Sequence, residues 1–451
     1  RIGDWSSDVC SSDLKYMTLG GLKVQCFSEQ RRYIPIDKCK VKITPTGQDG
    51  IAIGDTIVVY TNNTGSTDII ELDAPPIENS NQPYTIPYSF AEVIVEREGF
   101  LPVAVNGVQI YPLRVAIQNI NLPETRGYYR QEKIIDIQPN RLVGNFPPKI
   151  PEAEEKELPP PKGTVVLPEP VIPEYIVVHN GRPNDNSAAN YKVNYKDYIK
   201  NVACCEIFST WSENTIRANV YAIISFTLNR IYTEWYRGKG KNFDITNSTA
   251  FDHAFSYGRN FYENISRIVD EIFSTYMKRF NSKQPLLAQY CDGINVQCPG
   301  WMTQWGSKYL GDEGKFPYDI LTSFYGDDLE LKSAKKVKGS PRSYPGYTLT
   351  YGVSGEPVRV IQEQLNAISR AYPLIPKIAI DGKYGPKTRE AVKTFQKIFN
   401  LPQTGQVNYA TWYKISDVYV AVTKIAELRS SVEKKIFYPP TMTDRYENIP
   451  K

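Results

Sequence analysis

Between residues 20 and 122, short runs of β-branched and apolar residues recur at 22–27, 39–44, 56–61, 69–72, 91–96, 103–105 and 115–122. Turn-forming clusters such as Gly47-Gln48-Asp49-Gly50 and Asn62-Asn63-Thr64-Gly65 separate them. Breaks at this spacing predict an N-terminal antiparallel β-sandwich of about seven strands within residues 15–146. From residue 174 the period changes. Residues 174–179 read as a strand and 195–204 as a helix. A longer helix over about 211–235 carries Ile216, Val220, Ile223, Ile224, Leu228 and Ile231 at helical spacing, with Thr210 and Glu213 as a capping box. A third helix is expected over about 260–279, with Ile265, Ile268, Val269 and Ile272 inward. Residues 174–340 are thus a central mixed α/β domain. Farther on, Val358, Ile361, Leu365 and Ile368 line one helix, and Ala391, Val392, Phe395 and Phe399 another, in a compact unit over 346–415. Residues 416–436 add a helix with Val418, Val422, Ile425, Leu428 and Val432 on one side. The prediction is a multidomain α+β chain with a C-terminal three-helix domain over 341–436 and a loose tail at 437–451.

Composition sharpens this picture in three places. The 451 residues suit about three domains. The net charge of +4, from 53 basic and 49 acidic residues, argues against a dedicated nucleic-acid binder. Nine of the 27 residues over 147–173 are Pro, mixed with the acidic run Glu152–Glu157, although position 156 is Lys. Proline at that density favours extended backbone, so the segment reads as an exposed linker, either a spacer or the boundary of a pro-segment open to proteases. No apolar run approaches the roughly 18 residues of a membrane span.

Residues 4–14, DWSSDVCSSDL, resemble the in-frame translation of a sequencing-adapter oligonucleotide. Residues 1–14 are therefore set apart from fold reasoning as an expected artefact. Six cysteines remain: Cys26, Cys39, Cys204, Cys205, Cys291 and Cys298. Cys291 and Cys298 are spaced for a disulfide, free thiols or half of a zinc site. The chain has two histidines, His179 and His253, and neither lies near that pair in sequence. Cys204 and Cys205 lack a neighbouring His to activate them, so both are expected to be structural. The cluster Asp327-Asp328 with Glu330 reads as a solvated turn.

Two motif sets carry chemistry. In the last unit, Gly352-Val-Ser-Gly355 is followed by Ile361-Gln362, Asp381-Gly382-Lys-Tyr384-Gly385, Thr388, Phe395-Gln396, Thr404-Gly405 and Thr411-Trp412. This order resembles the three-helix peptidoglycan-binding module of cell-wall hydrolases. Gly382 and Gly385 permit turns with positive φ, and Phe395 and Trp412 fill the core. The groove beside the Asp381 loop is the expected binding surface, with Asp381 and Tyr384 as candidate contacts. In the central domain, Asp197-Tyr198-Ile-Lys-Asn-Val202 leads into Cys204-Cys205-Glu206. Gln289-Tyr290-Cys291-Asp292-Gly293 and Gln304-Trp305-Gly306-Ser307 come later. These segments resemble the catalytic domain of the sporulation stage II protein D family of lytic transglycosylases. The resemblance puts Glu206 at the catalytic position, and Tyr290, Gln304 and Ser307 at sugar-positioning ones. Cys205 stands where that family has Ser, Ile224 where it has Arg and Phe226 where it has Tyr. The β-module itself resembles carboxypeptidase-regulatory or prealbumin-like modules.

The whole order resembles the spore cortex-lytic enzymes of clostridia. That resemblance implies a proenzyme cut near residues 150–173 by a germination protease. It also implies cortex peptidoglycan as partner and a place in the spore cortex or coat, outside the spore core. It implies no cofactor, although some relatives bind zinc through Cys and His. A lytic transglycosylase needs one carboxyl group, because the substrate's C6 hydroxyl serves as nucleophile where ordinary hydrolysis uses a second carboxylate. That acid needs a raised pKa from an apolar setting, and Ile207, Phe208 and Trp211 surround Glu206 in sequence. Two other functions stay open. A muramoyl amidase would need zinc held by several His or carboxylate ligands. A non-catalytic wall-binding or spore-coat protein fits the departures at Cys205 and Ile224.

Overall fold

The first strands of the chain are β1 (Thr18–Ser28), β2 (Lys40–Thr46), β3 (Ile57–Tyr60), β4 (Ile70–Ala74), β5 (Ser89–Glu96), β6 (Val103–Ile110), β7 (Val115–Leu122) and β8 (Lys133–Asp136). They are seen in a computed structural model, which describes residues 18–125, 132–156, 169–296 and 298–423. Residues 1–14, 424–436 of the expected terminal helix, and the tail over 437–451 lie outside the described residues. β2, β3, β5, β6 and β8 form one sheet, in the order β3-β2-β5-β6-β8. β1, β4 and β7 belong to a second sheet, and β6 lies against all three. Val41, Ile43, Val93 and Val95 are fully buried, at every second position of their strands. The pairing is not all antiparallel. β1 runs parallel to β7, with Leu22 opposite Ala116, and β6 runs parallel to β8. The apolar spacing predicted the strands closely but says nothing of pairing direction, which long-range packing decides.

The central part contributes β9 (Val171–Ile172), β10 (Tyr175–His179), β11 (Asn190–Asn194), α1 (Tyr195–Glu206), α2 (Glu213–Tyr232), β12 (Ile245–Thr246), β13 (Phe261–Tyr262) and α3 (Glu263–Ile272). After them come β14 (Thr275–Arg279), β15 (Tyr290–Cys291), β16 (Met302–Thr303), α4 (Gln304–Asp312), α5 (Pro317–Tyr325), β17 (Leu329–Ser333) and β18 (Lys336–Val337). Helix α2 is wrapped by α1, α3, α4, α5 and β14. Being apolar around most of its circumference, it is a core helix rather than a surface one. Burial of Ile216, Val220, Ile223, Ile224 and Leu228 contributes about 1.5–3 kcal/mol each. Its N-cap is Ser212, whose hydroxyl accepts the Thr215 N–H, and not the expected Thr210. Thr210 instead donates to the Ser80 hydroxyl. The expected third helix is shorter. Phe261–Tyr262 is a strand edge on β7, the helix ends at Ile272, and Thr275–Arg279 is a strand paired with β17. Thr275, Tyr276 and Met277 suit a strand, and the helical spacing does not continue into them.

The linker is partly docked. The Ile150 N–H donates to the Ala250 carbonyl, and Gln289 brackets the strap by donating to the Ile150 carbonyl and accepting the Glu152 N–H. Arg230, with no exposed side-chain area, grips both Glu152 oxygens at 2.7 and 2.8 Å and Asp252 at 2.7 Å. The expected exposed linker is thus a bound strap over 147–156, because its acidic run meets a buried guanidinium. Residues 157–168 are outside the described residues.

The chain divides into two units. Among the described residues, one is made of 18–30, 35–338 and 398–402, and the other of 31–34, 339–397 and 403–423. The second holds α6 (Glu356–Ile368), α7 (Pro386–Ile398) as far as Lys397, and α8 (Tyr409–Thr423). One helix carries both Trp412 and the first residues of the expected separate terminal helix. Two turns in this unit are built alike. Gln362 accepts the Gly382 N–H and donates to Asp381, the Lys383 carbonyl and Thr388. Gln396 accepts the Gly405 N–H and donates to Thr404, the Gln406 carbonyl and Thr411. Gly382 and Gly405 have φ of 72° and 65°, which favours glycine there. Gly385 does not have a positive φ, contrary to expectation.

Candidate functional site

Helix α1 begins on Asn194, whose side chain accepts the Lys196 N–H, and ends at Glu206. Tyr198, Ile199, Val202 and Ala203 bury its inner face. This packing fixes the end of the helix, so the last residue points from a rigid element into the interior. Glu206 is 8% exposed. Its Oε1 accepts the Ala254 N–H at 2.6 Å, and its Oε2 accepts Gln304 Nε2 at 3.1 Å. The same Gln304 amide donates to the Glu206 carbonyl at 2.7 Å, so side chain and backbone are clamped together. Gln304 can do this because it opens α4, capped by Thr303. Tyr290, on β15, faces the carboxyl group with its hydroxyl.

Burial pushes the Glu206 carboxyl above the usual carboxylate range. The Lys149 ammonium, the Ala254 N–H, Tyr290 and Gln304 pull the other way. The group is thereby biased toward holding a proton, as a general acid requires. Glu206 lines a cavity of about 220 Å³. Tyr290, Gln304, Asp292 and Arg259 share its wall, and Phe146, just before the strap, and Lys149 of the strap line it too. Asp292 Oδ1 accepts the N–H groups of Ile294, Asn295 and Val296, while its buried Oδ2 has no partner among the described residues. Arg259 is committed to Gln109 Oε1 and to the Gln138 carbonyl.

The structure brings together Glu206, Tyr290 and Gln304 of the expected set. Ser307 is fully buried behind them. It donates to the Gln304 carbonyl and accepts Asn219 Nδ2, so it holds α4 against α2 and faces no ligand. Asp381 and Tyr384 belong to the other unit. Asp381 is exposed, and the Lys383 N–H and the Gln362 amide hold its carboxyl below the usual range. Tyr384 is 1% exposed and donates to the Gly405 carbonyl, so it fills the core instead of a groove.

Cys291 and Cys298 form a disulfide, which takes both thiols out of zinc chemistry and closes the loop beside Asp292. Among the described residues no three His, Cys, Asp or Glu side chains gather as a metal site. Cys205 is buried, and its thiol is pushed up by burial against the opposing Arg259. Burial raises Cys204 to about 12. Neither is a ready nucleophile. His253 is fully buried, bonded to the Tyr198 hydroxyl at 3.0 Å and stacked on Tyr290 at 5.8 Å between centroids. Burial holds it well below the usual range, hence neutral.

Sequence reasoning missed Lys149, Ala254, Asp292 and Arg259. The Asp292-Gly293 turn beside a paired cysteine was the visible signal for one of them. Lys149 and Arg259 sit in segments with no motif at all.

Comparison with known proteins identifies the second unit. Residues 354–415 match the family described as "Putative peptidoglycan binding domain", so the C-terminal region carries a peptidoglycan-binding domain. A zinc D-Ala-D-Ala carboxypeptidase from Streptomyces albus G is 41% identical over 69 residues, which are 15% of this chain and 26% of that protein. The chain therefore matches about a quarter of that relative's length. The solved 3-chlorocatechol 1,2-dioxygenase from Rhodococcus opacus 1CP aligns over 24% of this chain and 60% of its own, at 9% identity and a TM-score of 0.17. That likeness carries no argument about fold or function. The peptidoglycan-binding domain makes a function on peptidoglycan the coarse conclusion, and an enzyme of the cell wall fits it.

Proposed function

We propose that the protein is a lytic transglycosylase acting on spore-cortex peptidoglycan during germination, made as a proenzyme and placed in the cortex or coat. The observation that carries this reading is Glu206: a buried carboxyl group with a raised pKa, clamped by Ala254 and Gln304 at a cavity, in a chain with a peptidoglycan-binding domain.

The protonated Glu206 gives its proton to the glycosidic oxygen between the muramic acid and glucosamine residues as the C1–O bond breaks. The carboxylate left behind then takes the proton of the muramic C6 hydroxyl while that oxygen bonds to C1. The product is a 1,6-anhydro sugar, and Glu206 returns to its starting state. The acid and base steps use the same group in turn, so no second carboxylate is required. Gln304 and the Ala254 N–H keep both oxygens in place throughout. The Asp292 Oδ2, which has no partner among the described residues, would accept a sugar hydroxyl or acetamido N–H.

Glu206→Gln tests the role. In linker-cleaved protein with cortex sacculi, release of anhydro-muropeptides is expected to fall about 10³-fold, the scale of a general acid. Release at the wild-type rate would refute the role. An amidase would free L-Ala termini instead of anhydro ends, which mass spectrometry separates. Binding of sacculi without any solubilisation would favour a wall-binding protein.

A further inference from the structure

Lys149 is a strap residue, yet its ammonium group reaches the interior. It donates to the Asp252 carbonyl at 2.8 Å. It lies 4.6 Å over the Tyr290 ring and 5.2 Å from the centre of the Phe226 ring. It lines the same cavity as Glu206 and Asp292. The other carboxylates nearby are engaged. Asp252 accepts from Arg230, Tyr236 and Thr246. Glu152 is paired with Arg230 and Lys156. Glu206 shares this wall and acts on the ammonium through its charge, without a direct hydrogen bond, while among the described residues Asp292 Oδ2 has no partner there. The cations at the wall other than Lys149 are Arg141, which is exposed, and Arg259, whose guanidinium is held by Gln109 and Gln138.

We infer that the cavity beside Glu206 is a cation-recognition site, lined here by the Lys149 ammonium, which takes compact organic cations and the cationic sugar ring of the cleavage step once the strap withdraws. The second half rests on the transglycosylase reading. Glycosidic cleavage places positive charge on C1 and the ring oxygen. A carboxylate and an aromatic face are what stabilise such charge in a site shielded from water. The primary ammonium of Lys149 makes the same demands. It therefore imitates the charge of the transition state, to which an active site is most complementary. The anchor at Glu152 and the Gln289 bracket keep it there.

The test uses full-length Lys149→Ala protein and n-butylammonium chloride, the severed lysine side chain, with n-butanol as the neutral control. The amine is expected to raise Tm saturably by about 2 °C. The rise should vanish in Lys149→Ala/Glu206→Gln and in Lys149→Met, which refills the space without charge. No rise, an equal rise with butanol, or a rise untouched by Glu206→Gln overturns the cation site. Linker-cleaved wild-type protein supplies a second measurement that needs no folded variant. There n-butylammonium should inhibit muropeptide release at least tenfold more strongly than butanol, and equal inhibition counts against the site. The Tm response together with an absence of anhydro products in every form would leave the cation site standing and sink the transglycosylase reading.

Discussion

Glu152→Gln probes what holds the strap. The Arg230 side chain has no exposed area and that of Glu152 is 11% exposed, so the pair is screened little by solvent. Glu152 supplies two charge-assisted hydrogen bonds to Arg230, each worth about 1.5–3 kcal/mol. A glutamine turns N–H donors toward a guanidinium that has only donors. Asp252 and the Phe251 carbonyl still hold Arg230 after the change. The cost is therefore the lower end of that for breaking a buried pair, about 3 kcal/mol. If it falls on local opening of the strap, the open population rises about 150-fold. Hydrogen exchange reads this directly at the Ile150 and Glu152 amides, which are bonded to Ala250 and Gln289. Glu154→Gln is the control. Its partner is Arg279 and its side chain is 44% exposed, so the loss should stay below about 1 kcal/mol. Unchanged protection at Ile150 in Glu152→Gln, or equal loss in both variants, would refute the anchor.

Three further outcomes follow from other parts of the molecule. The raised Glu206 carboxyl makes the folded state bind the proton more tightly than the unfolded chain, so its contribution is greatest at acid pH and is lost as pH climbs through the raised value. Glu206→Gln should therefore gain Tm relative to wild type as pH rises from 4 toward neutrality, then level off, and a constant difference would contradict the burial argument. Reducing the Cys291–Cys298 disulfide should cost about 2.5 kcal/mol from loop entropy, read as earlier proteolysis of the 291–298 loop. Gln362→Ala strands the buried Gly382 N–H, and a loss of about 1–3 kcal/mol should appear as a lower Tm for melting of the binding domain.

The strands of the β-region were legible because β-branched and apolar runs are broken by turn-forming clusters, and in β2 and β5 the burial of one face adds a period close to two. Their pairing was not, since β1 with β7 joins segments almost a hundred residues apart. α1 and α2 were legible from their apolar spacing, while the end of the third helix was hidden because strand and helix share the run near Phe273. Glu206, Tyr290 and Gln304 came from motif resemblance, and nothing local distinguishes them. Tyr384 and Ser307 looked like binding groups because a hydroxyl in a motif reads the same whether it serves a ligand or a neighbouring carbonyl. Lys149 was hidden for the opposite reason: within a proline-rich run, a lone lysine looks solvated.

The edge pairing of β13 on β7 has its own consequence. Phe261 and Tyr262 complete a sheet begun by the first strands, the Tyr262 hydroxyl donates to the Gln109 carbonyl, and Asn140 donates to the Cys204 and Ile207 carbonyls. A backbone cut between residues 157 and 168 would sever none of these. The two polypeptides would remain a heterodimer, eluting together on gel filtration and parting only on denaturing gels. Such a cut would free one end of a tether and leave the N-terminal fragment in place beside the rest of the chain.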